Sequence, residues 1–189
     1  VQVSADMRIE FKGDIFGADR VEFFSNGNIA LKPASLIRDA DNFDLFAGNN
    51  FEMKSDLIDI DEIILIAKNN MGIKPATTIK NSSSLILNAS DNLEFKGKIL
   101  LVDTVNIAVG KNMRFLPAGK IGNEIDRVGD VDISIGGRLE DKGDIYADTI
   151  DITSTDYSLF NTHKFDALTS CEIFGINKGK VAADICVET

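Results

Sequence analysis

The sequence predicts an all-β fold, a single-stranded parallel β-solenoid of about nine coils with about 20–22 residues per coil. Three observations predict it. A Pro-Ala pair returns at a fixed interval, short apolar segments alternate with period two, and no 3.6-residue apolar stripe persists over three helical turns.

The interval comes first. IALKPASLI (residues 29–37), GIKPATTI (72–79) and RFLPAGKI (114–121) carry Pro33, Pro75 and Pro117, the chain's 3 prolines, each 42 residues after the last. The echo extends well beyond proline. VEFFSNGNIALKPASLI (21–37) aligns with IILIAKNNMGIKPATTI (63–79) and VNIAVGKNMRFLPAGKI (105–121), and FDLFAGNNFEMKSDLIDID (43–61) aligns with LILNASDNLEFKGKILLVD (85–103). These two sets resemble each other, so the unit is half the interval. Coil starts fall at Val1, Val21, Phe43, Ile63, Leu85, Val105, Val131, Ile150 and Cys171, and only the sixth unit is lengthened, around GNEIDRVGD (122–130). Residues 1–189 read as one solenoid domain, whose strand-like ends (VQV, ICVET) point to a longer rod.

Within each unit the second strand is the clearest: Ile29-Ala30-Leu31, Phe51-Glu52-Met53, Leu93-Glu94-Phe95 and Met113-Arg114-Phe115 place apolar residues on one face. A first strand precedes it (Val21 and Phe23, Phe43 and Leu45) and a third follows (Leu57 and Ile60, Ile99 and Leu101), with Gly, Asn, Asp or Pro between. Hydrogen-bonded coils advance about 4.8 Å each, so like residues stack on like. The usual chirality of parallel crossovers predicts a right-handed winding.

Stacking makes two columns predictions in themselves. Asn28, Asn50, Asn70, Asn92 and Asn112 stand immediately before the second strand, where each amide can donate to one neighbour and accept from the other; a left-handed corner conformation is expected there as well. Lys12, Lys32, Lys54, Lys74, Lys96 and Lys142 form a second column. Stacked like charges repel, so these side chains point to water, compensated by Glu10, Glu52, Glu94 and Glu140 two positions earlier.

Composition excludes several classes of function. The net charge of -10 opposes nucleic acid, whose phosphates demand clustered cations. No run reaches the roughly 18 apolar residues of a membrane helix, so no membrane insertion is expected, and VQVSADMRIE lacks the basic-then-apolar plan of a signal peptide. Two cysteines, Cys171 and Cys186, are too few for a disulfide framework and read as small buried hydrophobes, with a bridge as the alternative.

No catalytic residue, cofactor or metal site is predicted. A polysaccharide-cleaving solenoid needs paired carboxylates inside a walled cleft. Here Asp56, Asp59, Asp61 and Glu62, then Glu124, Asp126, Asp130 and Asp132, then the column Asp19, Asp61 and Asp103, recur at repeat positions as turn and surface residues do. Calcium near Asp126, Asp130 and Asp132 is the only metal reading considered. His163 is the sole histidine, which leaves a triad or a histidine metal site without partners. Thr77-Thr78 and Ser82-Ser83-Ser84 read as turn residues.

The final third reads GRLEDKGDIYADTIDITS (137–154), SLFNTHKFDALTSCEIF (158–174) and INKGKVAAD (176–184). An Asn or acid, then Gly, then an Ile-x-Ala segment entering a new strand resembles the shaft repeats of filamentous-haemagglutinin-type exoproteins of two-partner secretion systems. The resemblance implies a secreted, cell-surface adhesin or toxin-delivery rod, neighbouring coils of a longer chain as its nearest partners, and a host-cell or glycan surface as its target. That family's Asn-Pro secretion motifs are absent, so the chain corresponds to shaft alone. GDIFGADRVEF (13–23) and GDIYADTIDI (143–152) also resemble bactofilins, which implies end-to-end self-association as the alternative. A phage tail-spike or lyase-type domain that binds or cleaves polysaccharide is the enzymatic alternative. Animal sarcoglycan ectodomains are a more distant likeness, lacking here their cysteine-rich end.

Overall fold

The fold is an all-β parallel solenoid of about 8 turns, about 20 residues each, with no helix among the described residues. The computed structural model describes the backbone of residues 1–159, 164–177 and 186–188, and the side chains of 1–156 and 164–175. Every strand pairing in it is parallel, and each strand hydrogen-bonds to its counterpart one coil away. Val21, Phe43, Ile63, Leu85, Val105, Val131, Ile150 and Cys171 stand in direct Cα register, and Gln2↔Glu22 carries the same register into the first coil. At about 4.8 Å per coil the turns make a rod on the order of 40 Å long.

A coil has three flat sides and three corners. Residues 21–25 form side 1, Asn28–Leu31 form side 2, and residues 36–38 form side 3. Sides 3 and 1 are not separate strands, as the sequence implied. They belong to one 12-residue strand, such as Leu36–Ala47, Asp56–Ala67, Thr78–Ala89 or Lys98–Val109. The chain turns this corner at a single residue of positive φ: Gly17 (62°), Asp39 (55°), Asp59 (56°), Asn81 (56°) and Leu101 (51°) stack one above another. One left-handed residue redirects the strand without interrupting its ladder for more than a position or two. Ser82-Ser83-Ser84 therefore lies inside the continuous strand Thr78–Ala89 and not in a loop.

The corner between sides 2 and 3 explains the 42-residue interval. On alternate coils it is a four-residue turn, Lys32-Pro33-Ala34-Ser35, Lys74-Pro75-Ala76-Thr77 and Leu116-Pro117-Ala118-Gly119. Each is closed from its fourth N–H to its first carbonyl, at 3.4, 3.0 and 2.7 Å. The coils between use two residues, Lys54-Ser55 and Lys96-Gly97. Proline costs nothing here because the second residue of such a turn needs no N–H, and its fixed φ suits that place.

Inward residues form continuous apolar columns. One runs through Leu31, Met53, Ile73, Phe95 and Phe115; another through Ile37, Leu57, Ile79, Ile99, Ile121 and Ile145; all are buried. Phe95 and Phe115 pack edge to face at 5.3 Å. At the corner between sides 1 and 2 the inward residues shrink to Ser25, Ala47, Ala67 and Ala89, which lets the chain bend tightly. Gly48 at that corner has no space for a Cβ, which would lie 2.3 Å from the Asn26 carbonyl oxygen of the coil before.

Candidate functional site

The Asn column forms the ladder that its spacing predicts. Asn50 donates from Nδ2 to Asn28 Oδ1 at 3.2 Å, Asn70 to Asn50 at 2.9 Å, Asn92 to Asn70 at 2.8 Å and Asn112 to Asn92 at 3.1 Å. Arg138 N continues it by donating to Asn112 Oδ1 at 3.1 Å. The left-handed conformation expected at these asparagines falls instead on the other corner, at Asp39, Asp59, Asn81 and Leu101. With a neighbour's amide on either side, a ladder asparagine meets its hydrogen bonds without an unusual backbone.

The Lys and Glu columns form an ionic ladder. Glu10 receives Arg8 and Lys32 (3.1 Å), and Glu52 receives Lys54 (3.1 Å) and Lys74 (3.6 Å). Glu94 receives Lys96 (2.9 Å), Arg114 (3.5 Å) and Lys74 (3.7 Å), and Glu140 receives Lys142 (2.6 Å) and Arg114 (3.4 Å). In register the carboxylates alternate with Ala30, Gly72 and Arg114, so no two lie on adjacent coils. This is the second origin of the two-coil period, because carboxylates kept two coils apart can share the cations between them. All four are held below the usual carboxylate range. Hydrogen bonds from Lys32, Lys96 and Lys142 act most strongly on Glu10, Glu94 and Glu140; at Glu52, partial burial pushes upward and Lys54 with Lys74 outweigh it.

The remaining acids do not converge. Asp56 accepts from Thr78 N at 2.7 Å and Asp59 from Asn81 Nδ2 at 2.7 Å, while Asp61 and Glu62 face solvent. The lengthened coil places residues 122–127 in a loop where Asn123 Oδ1 accepts from the N–H groups of Ile125 and Asp126, both at 2.8 Å. Asp130 accepts from Thr149 Oγ1 at 2.5 Å, and Asp132 projects from side 1. Among the described residues no three His, Cys, Asp or Glu side chains are grouped to hold a metal ion. Thr77 is buried in its turn and donates to the Met53 carbonyl at 3.0 Å. His163 lies outside the described residues.

Three features escape the sequence reading, and a fourth, the cysteine bridge, is its stated alternative. Asp141 occupies the inward column directly after Phe115, 1% exposed, and accepts from Gly143 N at 3.2 Å. Burial pushes its pKa up to about 8, with the nearby Asp144 adding to the rise. Arg127, at the end of the inserted loop, reaches across two coils: its guanidinium donates to the carbonyls of Ala147 (2.8 Å) and Asp166 (2.6 Å) and to the Asp166 carboxylate (2.9 Å). Asp166 also takes Lys164 at 2.6 Å, and these partners hold its pKa low against the opposing effect of burial. Cys171 is half-buried and disulfide-bonded, not a buried free thiol. The only other cysteine, Cys186, lies in the strand that pairs onto residues 165–167. Finally, side 1 carries an outward apolar patch of Phe24, Phe46, Ile64, Ile66 and Ile86.

No known family model, curated protein or solved structure matches this chain. The class it belongs to rests on its own geometry: a β-solenoid, with ladders of asparagine and of paired charge along its sides, consistent with a structural repeat protein. No helix among the described residues is long and apolar enough to cross a membrane.

Proposed function

We propose that the chain is a non-catalytic rod, a shaft segment of a secreted bacterial exoprotein of the filamentous-haemagglutinin type that holds an adhesive or effector tip away from a cell surface. The observation that carries this reading is the use of the polar surface. The Asn ladder and the Glu–Lys ladder spend their hydrogen bonds and charges on neighbouring coils, which stiffens the rod. The disulfide at Cys171 supports an oxidising compartment, since such bonds persist outside the reducing cytosol.

Protease treatment of intact cells that express the full reading frame tests the proposal. Release of coil peptides from the surface supports a secreted shaft; peptides protected until lysis would sink it.

One observation favours a second reading, a scaffold that polymerises end to end: successive coils are joined by parallel ladders in continuous register, a pairing that a coil of a second copy could extend. Electron microscopy of the purified protein separates the two: filaments that lengthen with concentration favour the scaffold, and single short rods favour the shaft.

A further inference from the structure

Outward positions on side 1 are polar over most of the rod. One column reads Glu22, Asp44, Ile64, Ile86, Asn106, Asp132, Asp151 and Glu172, and its neighbour reads Ser4, Phe24, Phe46, Ile66, Asn88, Ala108, Ser134, Thr153 and Phe174. The bulky apolar members Phe24, Phe46, Ile64, Ile66 and Ile86 fall on consecutive coils and form one patch, with polar residues on the coils next to it in the same columns; Phe174, 55% exposed, stands apart from it near the far end. Phe24 and Phe46 stack at 5.2 Å with planes 9° apart, Phe24 is 45% exposed and Ile86 36%, and a shallow depression of about 360 Å³ lies over the lower part of the patch. A single exposed hydrophobe such as Phe174 needs no explanation, but a contiguous patch of five on a mostly polar face marks a surface that is covered in use.

The charge beside the patch identifies the chemistry of its partner. The corner that adjoins side 1 carries Asp19, Asp41 and Asp61 in register at the height of Phe24, Phe46 and Ile66, with Glu62 next to them at the entry to the side. All four carboxylates are exposed, and among the described residues none has a cation within salt-bridge distance. Glu22 and Asp44 differ, because Arg20 already joins both, at 2.7 and 2.6 Å. On the far side of the patch Lys68 stands over the Phe46 ring at 5.7 Å. A ligand seated here meets apolar surface beneath it, free carboxylates along one edge and a cation along the other.

We infer that side 1 between Phe24 and Ile86 is a docking surface for a cationic amphipathic polypeptide segment, its apolar side chains on Phe24, Phe46, Ile64, Ile66 and Ile86 and its Lys or Arg residues toward Asp19, Asp41, Asp61 and Glu62. This inference does not depend on where the rod is displayed.

A short fluorescent peptide of alternating Leu and Lys, with its Leu-Glu counterpart as control, tests the inference by titration against the intact chain. The Leu-Lys peptide should bind and the Leu-Glu peptide should bind at least about tenfold more weakly. Phe46→Thr with Ile66→Thr, residues that suit an outward strand position, should weaken binding about tenfold or more. Asp41→Asn with Asp61→Asn should weaken it several-fold and reduce its salt dependence. Asp132→Asn, on the same side but beyond the patch, should change it by less than about twofold. Equal binding of the two peptides, or equal effects of Asp132→Asn and the patch variants, would overturn the inference. Light scattering that finds a dimer abolished by Phe46→Thr would overturn it too, by assigning the patch to a second copy of the chain.

Discussion

Asp141 stands in direct register with Phe115, so a carboxyl occupies the inward column that Leu31, Met53, Ile73 and Phe95 fill on earlier coils. An ionised group there is unfavourable, and its pKa rises from the ordinary 3.8 to about 8. The folded state holds this proton more tightly than the unfolded chain does. The contribution is complete below 3.8, declines as pH rises, and is gone once pH passes about 8. Across that window it amounts to on the order of 5 kcal/mol. Asp141→Asn, which cannot titrate, should remove this decline. Denaturant unfolding of both proteins at a series of pH values checks it, and parallel curves would count against a buried, protonated Asp141.

The ionic ladder has the opposite sign. Glu10, Glu52, Glu94 and Glu140 have lowered pKa values, so their contribution is present above the ordinary value of 4.5 and is lost as pH falls through the lowered values. Glu94 is the most connected of them. Glu94→Gln removes the carboxylate of Lys96 and leaves Lys74 and Arg114 with Glu52 and Glu140 alone, and should cost up to about 1 kcal/mol at low salt. The cost should shrink as salt is added. Melting curves at two ionic strengths read it.

Asn70 is an interior member of the amide ladder. Asn70→Ala removes the donor to Asn50 Oδ1 and the acceptor for Asn92 Nδ2, both exposed to water. The expected cost is about 0.5–1.5 kcal/mol. Hydrogen exchange should quicken most around residues 50, 70 and 92, because each coil touches only its neighbours. Uniform acceleration along the chain would contradict the stacked architecture.

Leu101 is the exception in the left-handed corner column. Gly17, Asp39, Asp59 and Asn81 tolerate positive φ, whereas a leucine at φ 51° is strained and, at 40% exposure, gains little from burial. Leu101→Asn should stabilise the protein by about 1 kcal/mol. A melting temperature that falls in this variant would mean that Leu101 packs against something that outweighs its strain.

The features legible in the sequence are those that repeat. Pro33, Pro75 and Pro117 showed the two-coil period, and five asparagines at near-constant spacing showed the ladder, because a solenoid converts sequence period into spatial adjacency. Isolated features were not legible. Asp141 lies between the outward Glu140 and Lys142, but a carboxylate at an inward position has no counterpart in the other coils, and its register with Phe115 is what shows it pointing inward. Arg127 and Asp166 are 39 residues apart, which is two coils in this part of the rod, but Arg127 ends the inserted loop 122–127 and has no counterpart in the other coils to reveal its reach. The strand through the third corner reads as two in the sequence, since Asp39 and Asp59 look like turn residues while one left-handed φ lets the strand continue. The patch at Phe24, Phe46 and Ile66 was hidden for a related reason: alternation assigns apolar residues inward, and here both faces are apolar.

The central claim is that distance along the rod is set by coil count and not by residue count. Nitroxide pairs on outward side 1 positions measure it directly. Glu22 and Asn106 lie four coils apart in register, and Glu22 and Asp151 lie six. Labels introduced through an unnatural amino acid leave Cys171 untouched, and electron–electron spectroscopy should give separations near about 19 Å and about 29 Å. A narrow distribution at each value supports the solenoid. Equal separations for the two pairs, or distances that do not grow by about 4.8 Å per coil, would contradict it.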